Sequence, residues 1–342
     1  MNPTPTLINA KPMMRITSAA LLLLSVCIYA SAQPRSQVAF NIEEKELIPE
    51  GIAYDPRAKV FYVSSTFKRK IVSVDEKGVA RSFTNEAQDG MLGALGMKVD
   101  AERRLLWVIS SNAGAGMPGQ GLDRDCLGCS AVFKYDLKTG RLVKKYILNN
   151  KPTSHFLNDV TINSRGDVYI TDSMTGDIYL ISRNRDELEL FTNAGEKASP
   201  NGIDLSSDER YLFVAAGGGI RAVDLRDRST LSLKMPDGVS PVVIDGLYYF
   251  KGSLIAIQPF ANKWKVVRYY LDKGTTAVTR IEVIEPDHPL FQQPTTGVIV
   301  GKDLYYIANS QLQYFRSIYK PDGAYDKGHL QAVVILKIRL KD

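Results

Sequence analysis

Residues 157–173 read LNDVTINSRGDVYITDS. An Asn-Asp pair stands before an alternating apolar run, a polar turn containing Gly166 follows, and a second apolar run closes the segment. The period-two alternation marks both runs as β-strands, and the Gly-containing stretch between them marks a hairpin. Asn and Asp are poor strand formers, so two of them at the head of a strand need a reason. Five further segments share the pattern: EGIAYDPRAKVFYVSS from Glu50, LGMKVDAERRLLWVISS from Leu95, NGIDLSSDERYLFVAA from Asn201, DGLYYFKGSLIAIQP from Asp245 and TGVIVGKDLYYIANS from Thr296. Each begins with one variable residue, continues with Gly (Asp159 in the segment first quoted), and carries two apolar runs around a turn.

The starts fall at 50, 95, 158, 201, 245 and 296, and four of the five intervals are 43 to 51 residues. The longer one contains an insertion rich in Gly between Gly114 and Cys129. Behind most segments lies a third strand candidate, such as KIVSVDEKG from Lys70 or DIYLISRNRD from Asp177, and a fourth, such as LELFTN from Leu188. Six units of about four strands predict an all-β fold, a six-bladed β-propeller with four-stranded antiparallel blades around a central channel. SQVAFNIEEKELI from Ser36 and QAVVILKIRL from Gln331 are left over. They are expected to share the last blade, which hides its edges.

Ahead of the repeats, Lys11 and Arg15 precede an apolar stretch from Ala19 to Tyr29, and Ala30-Ser31-Ala32 follows. That is the layout of a secretory signal peptide over residues 1–32, since the stretch is shorter than the roughly 20 residues a spanning helix needs. A single propeller domain is then expected over 33–342, exported to periplasm or extracellular space after cleavage near Ala32. No other apolar stretch is long enough for a membrane span. The formal charge of +6 falls to +4 as Lys11 and Arg15 leave with the leader. With no basic run interleaved with aromatics, the charge gives little support for nucleic-acid binding. The sequence is silent on oligomeric state.

Two cysteines remain, Cys126 and Cys129, in DRDCLGCSAVF. In an exported chain this spacing reads as a local disulfide, with a pair of reactive thiols as the alternative. Zinc would want four ligands, and no second Cys pair or nearby His is present.

The innermost strand of every propeller blade runs along the axis, so the variable first residues converge as a ring: Glu50, Leu95, Asn158, Asn201, Asp245 and Thr296. Two acids and two amides among them form an oxygen-rich set. Hard divalent cations take such ligands, and calcium takes them in flexible geometry completed by water. Zinc and copper would recruit His or Cys, which the ring lacks. The expected cation is therefore calcium, on Glu50, Asn158, Asn201 and Asp245. Taken singly, each Asn or Asp is equally well a turn former bonding its own backbone.

With that ring in view, the chain resembles the SMP-30/gluconolactonase family of six-bladed propellers, and more distantly the paraoxonases. The resemblance rests on PEGIAYD, LNDVTINSRGDVYITD, SPNGIDLSSDERYLFVA and IDGLYYFKGSLIAI, in that order and spacing. It implies a metal at one channel mouth on Glu50, Asn201 and Asp245, with Asn158 at the same centre, and an activity on a lactone or related ester. Two departures limit it. The paraoxonase catalytic His would fall at Leu95, and of the two acidic positions implied for a second calcium one is Asp159 and the other is Gly51.

The implied chemistry is hydrolysis of a small-molecule lactone or ester, the metal polarising the carbonyl and Asp245 taking a proton from water. His155, three residues before Asn158, is a second catalytic candidate as an acid/base, or a substrate contact. The competing expectation is a non-catalytic ligand- or partner-binding propeller with a structural calcium.

Overall fold

A computed structural model describes residues 1, 34–112, 126–195, 198–239, 243–259, 263–314 and 327–342. The leader expected over 1–32 and most of the Gly-rich insertion fall outside the described residues. After β1 (Gln37–Ile42), the first blade is β2 (Ile52–Asp55), β3 (Val60–Ser65), β4 (Lys70–Asp75) and β5 (Ala80–Ser82). The second holds β6 (Gly93–Asp100), β7 (Leu105–Ser111), β8 (Ser130–Asp136) and β9 (Leu142–Leu148). The third is β10 (Leu157–Ile162), β11 (Val168–Asp172), β12 (Asp177–Ile181) and β13 (Leu188–Asn193), and the fourth β14 (Ile203–Leu205), β15 (Tyr211–Ala216), β16 (Gly219–Asp224) and β17 (Thr230–Ser232). The fifth comprises β18 (Leu247–Phe250), β19 (Ser253–Gln258), β20 (Lys265–Leu271) and β21 (Val278–Pro286).

The sixth blade closes the ring. β22 (Gly297–Val300), β23 (Asp303–Ile307) and β24 (Val333–Arg339) come from the C-terminal part, and β1 pairs antiparallel with β24 as the outermost strand. Gln37 lies opposite Lys337 and Ile42 opposite Val333. The expected sharing of one sheet by the two terminal segments is therefore observed, although the second half of the N-terminal segment forms a short 3-10 turn, Lys45–Leu47, instead of strand.

The core is a circle of six apolar layers, one between each pair of neighbouring blades. Tyr62 and Ile71 of the first blade meet Met97, Val108 and Phe133 of the second, while Phe40 and Ile42 of β1 help join the sixth blade to the first through Phe61 and Val63. Each blade is thus covered on both faces, which is why β11 and β19 are buried at every residue and why their sequences run nearly unbroken in apolar residues. Burying each such side chain contributes about 1.5–3 kcal/mol.

Cys126 and Cys129 are disulfide-bonded, as the sequence reading favoured. The bridge sits where the β7–β8 ladder continues into the insertion, with Asn112 N–H donating to the Cys129 carbonyl at 2.9 Å. Among the described residues no helix is long and apolar enough to cross a membrane.

Candidate functional site

The six first residues of the repeats sit at the axial end of the innermost strands β2, β6, β10, β14, β18 and β22. In the first, fourth and fifth blades, Glu50, Asn201 and Asp245 each lie two residues before the strand proper. In the second and third blades the strand begins earlier, and the pairing slips between Ala94 and Met97 and between Leu157 and Val160. Such bulges re-aim side chains, here those of Leu95 and Asn158. The Asn-Asp pair therefore stands where strand pairing is interrupted, and its poor strand propensity costs little.

Contacts between successive inner strands hold this end of the channel together. Gly202 N–H donates to the Asp245 carbonyl at 2.9 Å, and Gly246 N–H donates to Thr295 O at 3.2 Å. Thr171 Oγ1 donates to Asn201 O at 2.8 Å, and Thr295 Oγ1 reaches Glu50 O at 3.2 Å from the sixth blade. The glycine of the repeat allows this approach. A Cβ at Gly51 would stand 2.1 Å from Leu95 O, and one at Gly202 would stand 2.2 Å from Asp245 O. Gly202→Ala is accordingly expected to push the fourth and fifth inner strands apart, costing about 1–3 kcal/mol of stability. Thermal melts should show the loss as a midpoint several degrees below the parent's.

Glu50, Asn158, Asn201 and Asp245 line a single cavity of about 630 Å³ together with Leu95. Thr296 is absent from that lining; its hydroxyl donates to the Glu50 carbonyl. His155 is likewise outside the lining. Its Nδ1 lies 2.7 Å from Asp172 Oδ2, and its backbone N–H donates to Gly128 O at 2.8 Å, tying the loop that leads to Asn158.

Three oxygens at the ring are buried without a hydrogen-bond partner: Glu50 Oε2, Asn158 Oδ1 and Asn201 Oδ1. The Asn158 amide is turned by its nitrogen. Asn158 Nδ2 donates to Ser173 Oγ at 3.0 Å, and Ser173 Oγ in turn donates to Pro200 O at 2.6 Å. The Asn201 side chain faces Asp245 and favours its ionised form. Orphaned buried acceptors are expensive, and three from three different blades at one cavity call for a shared donor or cation.

The electrostatics point the same way. Burial drives the Glu50 carboxyl well above its usual range, and the charges of Asp245 and Asp159 add to this. Asp245 is pushed up to about 7 by burial and by Asp159, against the lowering effect of Asn201. Among the described residues lining this cavity there is no Lys, Arg or His, and no three His, Cys, Asp or Glu side chains gather into a metal-binding group. Two carboxylates and two carboxamides form a donor set that fits calcium and does not fit zinc or copper.

Asp159 is engaged elsewhere. Its Oδ1 accepts from Val160 N–H at 2.8 Å and its Oδ2 from Ile203 N–H at 3.4 Å, and it lines a separate cavity of about 390 Å³ further along the channel with Tyr248 and Lys98. The sequence reading missed Ser173, which orients Asn158, and the wall residues Phe156, Met174, Gln293 and Leu312. Ser173 had a usable signal, since it directly follows the second strand of its repeat.

No protein-family model and no curated protein matches the chain. Solved structures do. The major Malassezia sympodialis allergen Mala s 1 superposes with a TM-score of 0.65 at 15% identity, covering 89% of this chain and 96% of that one. A PQQ-bound aldose sugar dehydrogenase from Streptomyces coelicolor gives 0.59 at 14% identity, covering 90% and 99%, and a gluconolactonase from Xanthomonas campestris gives 0.56 at 13%, covering 88% of both chains. Likeness at such identities establishes the β-propeller fold, on which these unlike proteins are all built.

Proposed function

We propose that this chain is an exported, calcium-dependent hydrolase of lactones or related esters, similar to the SMP-30/gluconolactonase propellers. The observation that carries the reading is the set of three orphaned, buried oxygens from Glu50, Asn158 and Asn201 converging with Asp245 on one cavity. These four residues would hold the cation, which when bound supplies a Lewis acid for the substrate carbonyl. The likeness to a gluconolactonase is consistent with this.

The chain's own groups do the rest. Asp245, buried in the cavity wall, takes the proton from the attacking water on a carboxylate oxygen not given to the cation. Asn158, locked through Ser173, presents its carbonyl oxygen without reorganisation. Leu95 and Phe156 keep the wall apolar and limit solvent. His155 is bonded to Asp172 outside the cavity wall, and we assign it to positioning the 155–158 loop.

The test is a panel of lactones and esters with purified protein. Hydrolysis that a chelator suppresses at least about hundredfold and calcium restores supports the reading. A silent panel combined with a chelator-dependent fall in melting temperature would instead establish a binding propeller with a structural cation.

A further inference from the structure

We infer that the substrate is a neutral molecule with an apolar arm, an alkyl-substituted lactone or ester, and not a polyhydroxylated or phosphorylated one. This rests on the hydrolase reading for the word substrate, but the ligand class follows from the wall of the cavity itself. Around and beyond the polar residues of the ring the wall is Leu95, Phe156, Met174, Val243, Ile244 and Leu312. Met174 and Val243 stay 58% and 49% exposed, so large apolar side chains continue to the lip, where soluble proteins expose few unless something binds there. On the fourth-blade side the wall is built from small residues, among them Ala198, Ala216 and Gly218. They leave room in the 630 Å³ for a chain.

Polar partners are scarce among the described residues. Beyond the ring, the described lining offers only the side chains of Ser173, Ser199 and Gln293, and Ser173 is already bonded on both sides. Among the described lining residues a sugar lactone would bury several hydroxyls with almost nothing to receive them, each at the cost of an unmade hydrogen bond. A phosphorylated ligand would meet the carboxylates of Glu50 and Asp245 with no facing Lys or Arg among the described lining residues.

The experiment is calorimetric binding to the calcium-loaded protein of butyl- and octyl-substituted γ-lactams, with gluconolactam alongside. These probes resemble the lactones but resist hydrolysis, so binding is read apart from catalysis. The octyl lactam is expected to bind at least about tenfold more tightly than the butyl, from four more buried methylenes, with gluconolactam the weakest. Met174→Asp, at an exposed position that leaves the core intact, is expected to weaken octyl lactam at least about tenfold. Tighter binding of gluconolactam, or affinity independent of chain length, overturns the inference. If the lactams bind in the expected order while no lactone or ester is hydrolysed, the ligand class stands and the hydrolase reading falls.

Discussion

Asp245→Ala is expected to lower lactone hydrolysis by about 10³-fold or more while leaving the propeller folded. The substitution removes the proposed general base, worth about 10²–10⁴-fold alone, together with one of two charged ligands. Folding survives because what Asp245 gives the fold is its backbone: its carbonyl accepts from Gly202, and its N–H donates to Ile257 O at 2.9 Å. Its carboxyl is buried, with Asp159 opposing its ionisation, and it raises Glu50 in turn. Without calcium, the variant should therefore melt no lower than the parent at neutral pH. With calcium, it should lose the stabilisation that ligand binding confers. Activity assays and melts with and without calcium check both halves; an active variant would remove Asp245 from the mechanism.

The cation-free protein is expected to lose stability as pH rises from about 5 to 7, above the range in which the fold's lowered carboxyls, Asp186 and Asp55 among them, have already ionised in both states. In the unfolded chain the ring carboxyls release their protons near pH 4. In the fold, Asp245 holds its proton to about 7, and Glu50 is also raised. At these two groups the native state binds more protons than the unfolded one, so their contribution to stability falls with pH. The protonated form's advantage is complete below the unfolded value and gone once pH passes the folded one. On the calcium reading the dependence is expected to invert, because a cation held by the carboxylates would displace those protons. Its affinity should strengthen from pH 5.5 to 7.5, by about tenfold per unit for each proton displaced. Melting curves across this range should fall by several degrees in chelator and stay level or rise with calcium. A chelated protein that gains stability toward pH 7 would show that the ring carboxyls are not opposed as described.

The sixfold repeat was legible because each blade restates one pattern, an axial residue, a glycine and two apolar runs. The glycine survives for a steric reason, the close passage of the next inner strand at Gly51 and Gly202. The ring positions were legible for the same reason, since a common register places Glu50, Asn158, Asn201 and Asp245 together. What lines the cavity above them was not. Phe156, Met174, Leu312 and Gln293 lie in connections outside the repeat, where no periodicity constrains them. His155, three residues before Asn158, places its Nδ1 2.7 Å from Asp172 at the end of β11 and is not among the described residues lining the cavity. Asp159 matched one of two positions implied for a second calcium, with Gly51 at the other, and the backbone N–H groups of Val160 and Ile203 bond its oxygens. Both outcomes depend on hydrogen bonds that residue order does not encode.

Anomalous diffraction from crystals grown with calcium tests the centre of the account directly. A single cation is expected about 2.3–2.6 Å from Glu50 Oε2, Asn158 Oδ1, Asn201 Oδ1 and an oxygen of Asp245, with waters completing its shell. A calcium-saturated crystal with no anomalous peak among those four side chains, their oxygens meeting only water, would contradict it.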